Sequence, residues 1–373
     1  MLRDDDPHET AKWLDAMDEL IARGGPQRAE FLLTRLNERA LDRSVRSTGL
    51  EAKKLEIGTS ASYCVLGSAT CTNEQLLANF PDRTSEDIVD RTGIESRQWL
   101  GPEETPLTMA VEAARKALAG EDLSLDQIDA VICATTTPIS AAPSLACLVH
   151  YELAQGKPPN LIPCYDILAA CSGYLYALHA AYDSIYSRPE TKVLVVTAEG
   201  PSRVIDRNDF ATAVIFADAA TATVVYGPNC RHKMKFVTHP PVIRGKPDDG
   251  STIHVPLLGH GPITMSGTKV CFEALRNMTK VLEQACAEAG ITLEDLDLII
   301  PHQANGRITK ALCGALDFPE EKVFNCIRHI GNVGASSLPV ALNLLDKETK
   351  YPRIGLCAFG GGLTFGAAVL ESR

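Results

Sequence analysis

Apolar positions follow two different rhythms along this chain. Over the first 46 residues they recur at helical spacing: Trp13, Leu14, Met17, Leu20 and Ile21, then Phe31, Leu32, Leu33 and Leu36. Asp6-Pro7-His8-Glu9 reads as a helix start, with Asp6 as N-cap, Pro7 at the first helical position and Glu9 reaching back. Gly24-Gly25 ends that helix and Pro26 opens the next, so the pattern predicts a helical hairpin over residues 1–46. Two helices of this length cannot bury their apolar faces alone. A further surface is expected for them: the main body, a dimer mate or another protein. The polar stretch Ser44 to Lys54 is predicted to be a linker. Beyond it, short apolar strands alternate with amphipathic helices, the pattern of an α/β protein whose sheets are buried on both faces.

That second part repeats itself. Leu125-Asp126-Gln127-Ile128-Asp129-Ala130-Val131-Ile132 aligns with Leu293-Glu294-Asp295-Leu296-Asp297-Leu298-Ile299-Ile300, each after an Ala-rich helix. The closing strands, Ala213 to Tyr226 and Arg353 to Glu371, share a texture too. Two halves are expected, residues 47–228 and 229–373, with equivalent strand ends meeting at one centre. Ligands in open α/β sheets sit at such strand ends.

Composition narrows the class. With 373 residues, 45% hydrophobic and 22% charged, the chain can build two or three globular domains. A net charge of −11 argues against nucleic acid, whose phosphates call for clustered Lys and Arg. No apolar run is long enough to suggest a membrane span, and the acidic start from Met1 to Asp6 lacks a signal peptide's apolar stretch. A cytoplasmic protein is expected. The twelve cysteines show no Cys-x-x-Cys pair and sit in apolar contexts, so no metal site is predicted, and at most one or two thiols are expected to be reactive.

Four segments are candidates for chemistry. Cys171 lies in Cys164-Tyr165-Asp166-Ile167-Leu168-Ala169-Ala170-Cys171-Ser172-Gly173-Tyr174, where a strand runs through small residues into a helix. A helix N-terminus stabilises a thiolate; a buried cysteine in a tight turn fits the same residues. Pro301-His302-Gln303-Ala304-Asn305 follows an apolar strand, where function is often placed, although a structural histidine fits equally. His329-Ile330-Gly331-Asn332-Val333-Gly334-Ala335-Ser336-Ser337 reads as a turn with close backbone approach and then a helix from about Ser337; Asn332 could simply cap the turn. Phe359-Gly360-Gly361-Gly362-Leu363-Thr364-Phe365-Gly366 lacks a phosphate loop's Lys and suits a backbone nest for an oxyanion.

Taken in order, these four segments resemble the β-ketoacyl-acyl-carrier-protein synthase III group of the thiolase superfamily, over roughly residues 55–373. Arg91-Thr92-Gly93-Ile94-Glu95-Ser96-Arg97 and Ala134-Thr135-Thr136-Thr137-Pro138 add to the match. The resemblance implies a duplicated, layered αβαβα thiolase-like fold and a homodimer. It implies that Cys171 accepts an acyl group from a thioester, with the N–H groups of Cys171 and Gly361 as oxyanion hole. His302 and Asn332 would hold the carbonyl of a malonyl-type thioester through decarboxylative condensation to a β-ketoacyl product. No metal or redox cofactor is implied. The implied partners are an acyl carrier protein and two thioester substrates. The alternatives are acyl transfer to an alcohol or amine in specialised metabolism, and a non-catalytic scaffold; the pairing of Asn332 with His302 favours condensation.

Departures from the family bear on the substrate. Initiating members clamp the adenine of acetyl-CoA between a Trp and an Arg, positions taken here by Asp87 and Phe210. Loss of that clamp points towards a donor on a carrier protein. Arg91 and Arg307 keep basic substrate-binding positions, while Gly314 and Ala315 replace docking lysines. Ala142 replaces the bulky residue at the dimer-contributed end of the acyl pocket, which points to an acyl group larger than acetyl. The family's glycine-rich run becomes Phe216-Ala217-Asp218-Ala219-Ala220-Thr221-Ala222, which puts the nearby loop geometry in question. The hairpin carries a second resemblance. Asp6-Pro7-His8-Glu9-Thr10, Trp13-Leu14-Asp15-Ala16 and Arg28-Ala29-Glu30-Phe31-Leu32-Leu33 are similar to the start of the homodimeric pyruvate dehydrogenase component. There the segment docks on a dihydrolipoamide acyltransferase core, so such a core is an expected partner of residues 1–46; a merely solubilising or dimer-covering hairpin is the alternative.

Overall fold

The computed structural model describes residues 6–42, 55–157, 160–257, 259–345 and 351–373, in two compact units, Met1–Leu55 and Glu56–Arg373. The first unit is helical from Pro7 to Asp42, broken at Gly25, where φ is 74° and ψ 169°. Glycine reaches that conformation freely, and Pro26 then supplies the fixed φ that starts a helix. The Asp6 carboxylate accepts the Glu9 N–H at 2.9 Å, the expected N-cap. Trp13, Leu14, Phe31 and Leu33 are exposed. The expected linker falls outside the described residues.

In the second unit, the described residues form a mixed sheet of eleven strands and two separate two-stranded sheets. Nine strands of the large sheet follow one path in the order Leu298–Pro301, Arg353–Gly360, Thr364–Ser372, Phe236–Thr238, Gly58–Thr59, Ala219–Tyr226, Lys192–Glu199, Ala130–Ala134, Cys164–Ile167. The short strands Gly58–Thr59 and Phe236–Thr238 join the ladders of the two halves. The repeat seen in the sequence is physical. Helix Pro106–Gly120, the turn Leu125–Gln127 and strand Ala130–Ala134 recur as helix Gly267–Ala289, the turn Leu293–Asp295 and strand Leu298–Pro301. Each turn opens with a reciprocal cap, Ser124 with Gln127 and Thr292 with Asp295. Each strand then runs parallel to a longer neighbour, Lys192–Glu199 or Arg353–Gly360.

These strands are continuously apolar because helices cover them. Ala130–Ala134 is buried at every position, with Met109, Ala113 and Ala117 of helix Pro106–Gly120 in the same core. Val281, Leu282 and Ala285 of helix Gly267–Ala289 do the same for the second half. Each fully buried Val, Leu or Ile contributes roughly 1.5–3 kcal/mol of transfer free energy. Small residues then let the halves meet. A Cβ on Gly173, the first residue of helix Gly173–Ser187, would lie 3.0 Å from the Ala134 Cβ and 3.1 Å from the Ala335 Cβ. The start of that helix, the end of a first-half strand and the Asn332 segment therefore converge.

Candidate active site

Strand Cys164–Ile167 leads into a 3-10 turn, Ala170–Ser172, ahead of helix Gly173–Ser187. Ala170 has φ 46°, a left-handed conformation that costs an L-residue about 1–2 kcal/mol. The turn is held from the other half: Thr364 Oγ1 donates to the Ala169 carbonyl at 2.8 Å, and Ser172 Oγ donates to the Thr364 carbonyl at 3.0 Å. Gly360 must be glycine, since a Cβ there would lie 2.7 Å from the Cys171 nitrogen and 2.8 Å from the Ala170 Cβ. Gly361 follows at the strand's end and lines the same cavity as Cys171.

Strand Leu298–Pro301 delivers His302. Its N–H donates to the Cys357 carbonyl at 2.7 Å, and its Nδ1 meets Ser337 Oγ at 2.6 Å. A hydroxyl donating to Nδ1 leaves the ring proton on Nε2. Burial pulls the imidazole down to about 3, so the ring is neutral. Asn332 is fixed through its backbone to Ile215 and Ala217, and its Oδ1 accepts the Gly334 N–H at 2.9 Å, which leaves the Nδ2 donors for the cavity. The segment Phe216 to Ala222 is tied on both sides. Asp218 accepts the Leu100 and Ser202 N–H groups at 2.6 and 2.9 Å, while Phe216 pairs with Asn332.

Cys171, His302 and Asn332 line one cavity of about 940 Å³ together with Gly361, Phe210, Arg91 and Arg307. Its floor is buried, holding His302 and Asn332, while Arg91 and Arg307 on its rim are exposed. The walls are apolar, from Val255, Ile263, Met265, Val270, Leu275 and Met278. Arg91 and Arg307 are brought together by backbone contacts: Asn305 Nδ2 donates to the Arg91 carbonyl at 3.1 Å, and Arg307 Nε donates to the Asp90 carbonyl. Asp87 caps its own helix, its carboxylate accepting the Thr84 N–H at 2.9 Å. The Phe210 ring carries the guanidiniums of Arg83 and Arg91 at 5.0 and 5.8 Å and the edge of Phe80 at 5.1 Å. Ala142, before the cis bond to Pro143, is exposed and does not line this cavity within one chain.

Of the two readings open for Cys171, a thiolate stabilised at a helix start and a buried thiol in a tight turn, burial prevails: the thiol is pushed up to about 12. Burial is the largest cause, and the charge of Glu199 adds to it. A backbone N–H works in the opposite direction and is outweighed. Glu199 and Ser337 were missed as site residues. Glu199 was detectable as the one acid closing the apolar strand Lys192–Glu199, whereas nothing local marks Ser337 as the partner of a histidine 35 residues away.

Comparison with known proteins fits this geometry. Residues 165–238 match the family model described as 3-oxoacyl-[acyl-carrier-protein (ACP)] synthase III, and residues 286–372 match the model of its C-terminal part. A β-ketoacyl-[acyl-carrier-protein] synthase III of Aquifex aeolicus is 38% identical over 316 residues, covering 82% of this chain and 98% of the relative. The chain belongs to the β-ketoacyl-[acyl-carrier-protein] synthase III family. The synthase III of Oleidesulfovibrio alaskensis is 36% identical, covering 84% of this chain and 100% of the relative. The crystal structure of the Aquifex aeolicus synthase III superposes with a TM-score of 0.75 at 37% identity, covering 85% of this chain and 99% of that one. A priming β-ketosynthase from the R1128 polyketide pathway gives 0.76 at 28% identity, covering 87% and 99%. The fold is thus thiolase-like and the protein is an enzyme of the synthase III type, a transferase. Residues 6–47 match a further model, the N-terminal domain of the pyruvate dehydrogenase E1 component. No helix of the described residues is long and apolar enough to cross a membrane.

Proposed function

We propose that this synthase III loads an acyl group onto Cys171 and condenses it with a malonyl-type thioester on an acyl carrier protein. The convergence of a thiol, a neutral imidazole and a carboxamide in one cavity carries the reading. The sulfur attacks the donor thioester, and the oxyanion is held by the N–H groups of Cys171 and Gly361. His302 Nε2–H and Asn332 Nδ2–H then donate to the malonyl carbonyl. As CO2 leaves, the enolate they stabilise attacks the acyl-cysteine, and the β-ketoacyl product departs on its carrier. Two neutral donors suit this step because they hold a transient anion without a charge to be released afterwards. The cationic rim at Arg83, Arg91 and Arg307 suits a phosphopantetheine arm, and the two guanidiniums already on Phe210 compete with a stacked adenine, which supports a carrier-delivered donor.

Other parts of the reading rest on surfaces. Cys164–Ile167 is an edge strand with Tyr165 and Leu168 exposed, which supports a homodimer that extends the sheet and brings Ala142 to the partner's acyl pocket. Residues 1–46 dock on a dihydrolipoamide acyltransferase core, a role supported by the match over residues 6–47 and by exposed Trp13, Leu14 and Phe31. The protein works in the cytoplasm, where carrier-bound substrates are made. Intact-mass measurement with acyl-CoA and acyl-carrier donors tests the chemistry. A Cys171 adduct that disappears with CO2 release when malonyl-carrier is added is the expected result; an equal adduct on Cys171→Ala overturns it.

A further inference from the structure

The floor of the cavity holds a carboxyl group to which the condensation scheme gives no task. Glu199 is 1% exposed and closes the strand Lys192–Glu199, in the same cavity as Cys171, His302 and Asn332. Its Oε2 accepts from Thr136 Oγ1 at 2.6 Å, from the Thr136 N–H at 3.2 Å and from Thr137 Oγ1 at 3.4 Å. Its Oε1 accepts from the N–H groups of Thr136 at 3.2 Å and Ala335 at 3.4 Å. None of these donors is a cation. Gly334 admits the carboxyl to the Asn332 turn, since a Cβ there would lie 3.1 Å from Glu199 Cδ.

The titratable groups around it are few. Cys171 of the nucleophile turn and Cys133 of strand Ala130–Ala134 both feel the Glu199 charge, and Cys171 and His302 line the same cavity; the segment Asn332 to Ser336 contributes none. Asp166, which also acts on Cys133, is held by the N–H groups of Leu145 and Ala146. His302 is unsuited to take a proton, because Ser337 occupies its Nδ1 and burial opposes its charging.

Resting on the reading of Cys171 as acyl acceptor, we propose that Glu199 is the proton acceptor for the Cys171 thiol. As the sulfur forms its bond to the thioester carbonyl carbon, the thiol proton passes to a Glu199 oxygen. When the bond from that carbon to the donor sulfur breaks, the proton goes on to the departing thiolate. In the condensation half, Cys171 leaves as thiolate when the enolate carbon bonds to the acyl carbon, and Glu199 returns a proton to it. Glu199 is recharged from solvent, so one proton is consumed for each CO2 released. The reason is electrostatic. A thiolate and a carboxylate would put two negative charges on a floor where the donors named above are all neutral, whereas moving the proton within the pair keeps the charge at one. Burial sets the pair up for this by pushing Glu199 up to about 7 and the thiol up to about 12.

The test is single-turnover acylation by S-butyryl-pantetheine, followed by intact mass across the neutral pH range in wild type, Glu199→Gln and Thr136→Val. The wild-type rate is expected to rise with a midpoint near 7. Glu199→Gln is expected to acylate about 100-fold more slowly at neutral pH, with its rise moved to alkaline pH. Thr136→Val removes a donor to the carboxylate, so its midpoint should move upward while the rise persists. A wild-type profile in Glu199→Gln overturns the proposal, as does a uniform slowing of both variants with no change of profile. Should Glu199→Gln fail to fold, the Thr136→Val midpoint decides, and an unmoved midpoint overturns the proposal. If wild type forms no Cys171 adduct, it is the acyl-acceptor reading that fails.

Discussion

The contact between His302 and Ser337 makes a prediction that separates the two halves of the reaction. Ser337→Ala removes the hydroxyl 2.6 Å from Nδ1 and leaves a buried ring nitrogen without its partner. An unsatisfied buried polar atom costs about 1–3 kcal/mol, and the ring is freed to adopt the tautomer with its proton on Nδ1, which removes the Nε2–H donor from the cavity. At 1.36 kcal/mol per decade, a loss of that size at the transition state slows decarboxylative condensation by roughly 5-fold to 160-fold. Acylation of Cys171 relies on backbone donors instead, so it should stay within about 2-fold of wild type on the same scale. The assay loads Cys171 first, follows loading by intact mass, and then measures CO2 release from malonyl-carrier. Equal slowing of both steps, or normal CO2 release, refutes the assignment of Ser337 as the residue that positions His302.

Three further outcomes follow from the same geometry. Gly360→Ala pushes a Cβ to 2.7 Å from the Cys171 nitrogen, so acylation should fall at least about 10-fold with a loss of roughly 1–3 kcal/mol in stability, read by intact mass and thermal unfolding. Glu199 is held above its ordinary value of 4.5, to about 7, so the folded state binds its proton more tightly than the unfolded chain. Its charging therefore destabilises the fold progressively between those values, by on the order of 3 kcal/mol once pH exceeds 7. Glu199→Gln should accordingly gain most in Tm, relative to wild type, at mildly alkaline pH and least near pH 4.5, and an equal change at both ends contradicts this. Deletion of residues 1–46 should abolish co-elution with a dihydrolipoamide acyltransferase core and leave condensation intact; unchanged co-elution rules out the docking role.

Much of this was legible because the deciding physics is local. The break at Gly25-Pro26, the Asp6 cap, the duplicated helix–turn–strand unit and the polar residues after Leu298–Pro301 follow from periodicity, capping and the backbone freedom of glycine. Cys171, His302, Asn332 and Gly361 were candidates for the same reason, since each sits where a strand or turn ends. Three things came only from tertiary structure. Packing a first-half strand end against the Asn332 turn placed Glu199 and Cys171 in one cavity, and burial and charge there push the thiol up, which decides between the two readings its segment allowed. A contact across 35 residues gave His302 its orienting hydroxyl. The aromatic ring of Phe210 became a perch for two guanidiniums because Arg83 and Arg91 reach it from separate points of the chain. Sequence determines what each element is and where it stops; desolvation and long-range charge depend on what surrounds a group, and only the folded chain decides that.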